Sequence, residues 1–140
     1  MAPVTRLACS HRHLLQAAKT DAVYWVKSHK RVITAAFHKV LLEKYNLDRR
    51  RVDVQWEQAY NRILQATCQR IDDDLWGQTD GAVIELHDRI CEHGRCRVIR
   101  TLVHEALHNT FVLRRRTRSR RWSLLSTADE HAAMDLLGFC

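Results

Sequence analysis

The sequence predicts an α+β fold, mainly helical with a small β-sheet. Apolar residues recur at helical spacing in four stretches, 21–45, 56–71, 97–111 and 126–138. One short stretch, AVIELH at 82–87, is rich in β-formers and follows Gly81. At 140 residues and 46% hydrophobic content, the chain is sized for one domain with its own core, 1–140, with residues 1–20 as a lead-in.

Composition narrows the function classes. Lys and Arg number 23 against 16 Asp and Glu, a net charge of +7. Such a balance favours anionic partners: nucleic acid, phosphate-rich surfaces or acidic protein. The five cysteines, Cys9, Cys68, Cys91, Cys96 and Cys140, are odd in number and follow no disulfide framework. A reducing, intracellular setting, cytoplasmic or nuclear, is the expectation. No apolar run approaches the roughly 18 residues of a membrane span, so no membrane partner is expected.

In chain order, Leu14, Leu15, Ala17 and Ala18 predict a brief helix after Ser10. Asp21 is placed to cap the first long helix, with Tyr24, Val26, Ile33, Phe37 and Leu41 on its apolar side and Lys27, Lys30, Arg31 and Lys39 opposite. Val52 and Val54 alternate with polar residues and predict a short strand. Trp56, Tyr60, Ile63, Leu64 and Ile71 predict a second amphipathic helix over 56–71. The run DDDLWGQTDG reads as a loop. The strand 82–87 follows, and Gly94 marks the turn into the next helix.

That helix carries the chemistry. RVIRTLVHEALHNTF, 97–111, contains HEALH. Residues four apart lie one turn above each other on a helix, so His104 and His108 can aim two imidazoles at one ion. Glu105, beside the first, can take a proton from a water held there. Catalytic zinc needs a third protein ligand. The last helix, 126–138, begins with a capping pattern at Ser126 or Thr127 and offers Glu130 and His131. Glu130 falls on the apolar face with Ala133, Met134 and Leu137, where an unpaired acid would be costly. It is the preferred ligand, with His131 the alternative. Asp135, four residues after His131, is expected to orient a zinc-bound histidine.

Between these helices lies RRRTRSRR: Arg114, Arg115, Arg116, Arg118, Arg120 and Arg121, followed by Trp122. Clustered like charges predict an exposed loop or helix end. Guanidinium forks suit phosphate or carboxylate, and an indole offers a stacking surface. The run is therefore expected to contact nucleic acid or an acidic substrate near the mouth of the site.

The segment TLVHEALH resembles the active-site helix of the zincin metallopeptidases, and the small SprT-like and ImmA/IrrE-like kinds are nearest in size and layout. The resemblance implies a zincin-like fold, a zinc cofactor, a protein or peptide substrate, and hydrolysis by a water that Glu105 activates. It also implies a substrate backbone laid along a sheet edge, a role assigned to the strand at 82–87. It carries over to His104, Glu105 and His108 alone. The competing reading is a basic nucleic-acid-binding or structural protein with a non-catalytic metal site. For the oxyanion-stabilising group the sequence offers only Tyr60, His87 and His93.

Overall fold

A computed structural model describes residues 3–46, 52–80, 83–108, 110–114, 122–124, 131 and 134. The fold is α+β, with helices α1 (Pro3–Ser28), α2 (Lys30–Tyr45), α3 (Trp56–Gln65) and α4 (Arg95–Leu107) beside two small sheets. No described helix is long and apolar enough to cross a membrane.

α1 runs unbroken through the predicted lead-in from Pro3, a residue suited to a first helical position because its missing N–H would go unused there. Asp21 lies inside α1, and its carboxylate pairs with Arg95 of α4 instead of capping a helix. The predicted 21–45 helix breaks at His29. There the imidazole Nδ1 donates to the Trp25 carbonyl at 2.7 Å and the ring stacks on the indole with centroids 4.2 Å apart. This side-chain bond adds to the backbone N–H of His29, which reaches the same carbonyl at 3.0 Å, at the point where α1 gives way to α2. α2 ends at Asn46, left-handed at φ 52°, whose N–H reaches the Leu41 and Leu42 carbonyls.

The core joins α1 (Ala18, Ala22, Val26), α2 (Ile33, Phe37, Leu41), α3 (Ala59, Ile63) and α4 (Val98, Leu102, Val103, Ala106). α1 makes its most extensive contact with α4. Phe37 stacks on Phe111 with ring centroids 4.0 Å apart, and Trp56 meets Phe111 edge-on at 5.7 Å. Such pairs add about 0.5–1.5 kcal/mol beyond area burial.

The second amphipathic helix stops at Gln65, six residues short of the predicted end. Ala66 turns extended (ψ 141°), and Thr67–Gln69 forms β2, where β-branched Thr67 favours a strand. The predicted loop at 72–81 also yields a strand, β3 (Gly77–Asp80), antiparallel to β4 (Val83–His87). Strand order is β2-β4-β3, with β2 parallel to β4. The other sheet is β1-β5-β6: β1 (Val52–Val54) pairs with β5 (Phe111–Arg114), which pairs with β6 (Trp122–Leu124).

Candidate metal centre

The centre begins with α4. Gly94 (φ 93°, ψ 164°) turns the chain out of the 3-10 helix Ile90–His93 and into it. Val98, Leu102, Ala106 and Leu107 anchor α4 in the core. That burial turns His104 and His108, both partly exposed, toward a cavity of about 540 Å3. The helix ends one residue before His108, which has extended backbone angles (φ −60°, ψ 133°). The two imidazoles nevertheless converge, with Nε2 atoms 3.2 Å apart. Two ligands at tetrahedral positions about 2.0–2.1 Å from zinc would stand about 3.3–3.4 Å apart.

His131 completes a triangle. Its ring centroid lies 4.9 Å from His104 and 5.1 Å from His108, which are themselves 4.9 Å apart. One donor nitrogen from each of the three falls within 4.8 Å of the others, so His104, His108 and His131 form a group that could hold a metal ion. Of the two third-ligand candidates, His131 is thus brought to the pair. Glu130 lies outside the described residues, as does Asp135. Three imidazoles suit zinc, copper, iron or nickel by chemistry.

Glu105 is nearly buried, its side chain only 11% exposed, with Oε2 3.9 Å from His104 Nε2. Thr79 of β3 donates its hydroxyl to Glu105 Oε1 at 2.9 Å and stands 3.2 Å from the Glu105 carbonyl. Gly77 makes this approach feasible. A Cβ there would sit 2.8 Å from Thr101 Cγ2 and 3.3 Å from Glu105 Cγ. At the other end, buried Arg62 of α3 donates from Nη1 to the carbonyls of His108 (2.9 Å) and Ala106 (3.3 Å). These are the acceptors a helix end leaves unpaired, and the cation also faces the negative end of the helix dipole. Thr110 Oγ1 bonds Ala106 O as well. Sequence reading missed Gly77, Thr79 and Arg62. The one available signal was a lone arginine beside Ile63 in an apolar stripe, since an arginine facing a core must find acceptors.

The strand assigned to the substrate, β4, pairs on both sides, so its peptide groups are already committed. β3 is one of the two edge strands of that sheet among the described residues and lines the cavity through Gly77, Gln78 and Thr79. None of the three oxyanion candidates lines it. Tyr60 is buried in the core, and its hydroxyl has no hydrogen-bond partner among the described residues. His87 bonds Asp73 through Nε2 at 2.9 Å, and His93 lies against Trp76. The His87 contact holds the Asp73 carboxyl below its usual range.

The cysteines depart from expectation. Cys96 is disulfide-bonded, to neither Cys68 nor Cys91, both of which are free. The odd count therefore does not leave every thiol reduced. Cys68 and Cys91 share a hydrogen bond that pushes the Cys68 thiol up, burial adding to the rise, and draws that of Cys91 down against the effect of its burial. Arg114 and Trp122 pair across β5 and β6, strands where a loop or helix end was predicted. Arg115, Arg116, Arg118, Arg120 and Arg121 fall between them, outside the described residues.

The chain matches no protein-family model, no curated protein and no solved structure.

Proposed function

We propose that the chain is a zinc-dependent peptidase of zincin type that cleaves protein or peptide substrates inside the cell. The observation that carries this reading is the convergence of His104, His108 and His131 beside a nearly buried Glu105, in a cavity walled by an edge strand. His104, His108 and His131 are the assigned ligands. Zinc held there would polarise the scissile carbonyl and acidify a water to a pKa of about 7. Glu105, oriented by Thr79, accepts a proton from the attacking water and returns it to the leaving amine. β3, whose outer edge is unpaired among the described residues, is suited to bind an extended substrate backbone. Burial of Ala106, Leu107 and Thr110 around the motif limits water from the core side.

The test combines metal analysis with hydrolysis. The expectation is one zinc per chain, lost in His108→Ala and His131→Ala, and casein cleavage abolished in Glu105→Gln while zinc stays bound. Zinc-loaded protein that cleaves no peptide would sink the peptidase reading. A second reading draws on the arginine run that joins β5 to β6: a basic nucleic-acid-binding protein whose metal is structural. It predicts salt-dependent oligonucleotide binding that survives zinc removal. A peptidase recruited to nucleic acid by those arginines would satisfy both tests.

A further inference from the structure

The cavity extends along α4 beyond the histidines, and its far wall is basic. Arg97 and Arg100 line it together with His104. They stand seven and four residues before His104, on the same face of α4, about 10 and 6 Å away along the axis. Arg97 is half-buried, and its guanidinium lies over the Trp76 ring, 5.5 Å from the centroid. That contact fixes the side chain without neutralising it. Neither arginine has a carboxylate partner among the described residues, whereas Arg95, just outside the cavity, pairs with Asp21. Two uncompensated guanidiniums on a cavity wall are complementary to an anionic ligand.

From this wall we infer an acidic-residue subsite: Arg97 and Arg100 receive a Glu or Asp side chain of an extended polypeptide, one to three residues from the scissile bond. The inference rests on the peptidase reading for the location of that bond. An extended chain covers about 3.3–3.6 Å per residue, so one to three residues span the distance from the histidines to the two guanidiniums. Polypeptide is favoured over nucleic acid by the opposite wall. There β3 presents an edge strand, whose bonding groups match a backbone of peptide units. Asp74 and Glu105 line the same cavity and would repel a continuous phosphate chain more strongly than a single carboxylate.

Two partly exposed ion pairs, at about 0.2–1 kcal/mol each, amount to about two- to thirtyfold in affinity. Dye-labelled hexaglutamate and hexalysine are titrated against the zinc-loaded protein and followed by anisotropy. Hexaglutamate should bind at least about tenfold tighter, and the advantage should shrink as salt rises from about 50 to about 300 mM. Arg97→Gln/Arg100→Gln should erase the difference, and Arg100→Glu alone, at an exposed position, should reverse it. In parallel, paired peptides that differ only by Glu or Gln near the cleaved bond should be cut with a kcat/KM ratio of about ten, falling to one in the double variant. Equal binding of the two hexapeptides, an unchanged preference in the variants, or tighter competitive binding of an oligothymidylate would overturn the subsite. Charge-selective binding without cleavage would leave the subsite standing and remove the peptidase. Cleavage without a Glu preference would do the reverse.

Discussion

The two halves of α4 are built on opposite terms. Toward its C-terminus the polar groups are met by side chains: Thr79 at the Glu105 carboxylate, Arg62 at the Ala106 and His108 carbonyls, and Thr110 at the Ala106 carbonyl. Toward its N-terminus no side chain caps the helix, and Arg97 and Arg100 stand without carboxylate partners among the described residues. On the function proposed above, the difference separates two tasks. Metal ligands must be held within a few tenths of an ångström, which calls for over-determined backbone. Charges that meet a ligand must stay uncompensated until it arrives.

That contrast can be broken most forcefully at Glu105. Glu105→Gln should lower kcat/KM by about a thousandfold, within the range of general-base catalysis, while zinc content holds; parallel loss of metal and activity would reassign the residue to structure. Next in size is Arg62→Ala. It leaves two carbonyls at a buried helix end without their cation and should cost about 1.5–3 kcal/mol in urea denaturation. Because it frees the backbone at His108, zinc affinity should fall with it by about tenfold. A normal zinc affinity would show that the imidazoles are held from elsewhere.

Gly77→Ala tests the close approach of β3 to α4. The new Cβ meets Thr101 Cγ2 at 2.8 Å, and the strain should cost about 1–3 kcal/mol. Adding Thr101→Ser removes that methyl and should recover part of the loss, so a double-mutant cycle sharpens the assignment. The smallest effect belongs to Asp73. Its folded pKa lies below the unfolded value of 3.8, chiefly through the His87 hydrogen bond. The unfolded chain therefore binds this proton more readily, so the contribution is complete above pH 3.8 and fades as pH falls through the lower folded value. Asp73→Asn should flatten that part of a stability-versus-pH curve, and an unchanged slope would place the acid dependence elsewhere.

Much of the fold was legible because periodicity reports burial. The stripes over 33–41 and 98–107 became buried faces of α2 and α4, and VIELH became β4. The errors share a cause. Asp21 was read as a cap, yet its partner is Arg95, 74 residues away. DDDLWGQTDG was read as a loop, yet β4 supplies the pairing that makes Gly77–Asp80 a strand. Local pattern carries no information about bonds to distant residues, and both outcomes depend on such bonds.

The sequence alone determined the pair His104 and His108 and the adjacent acid, because a four-residue spacing on a helix is a local geometric fact. Only the tertiary structure decided that His131 meets them, that β3 rather than β4 borders the cavity, and that Thr79 and Arg62 secure the motif. The contacts among them, His108 with His131, Thr79 with Glu105 and Arg62 with His108, cross 23 or more positions of chain and are set by packing rather than by any spacing along the chain.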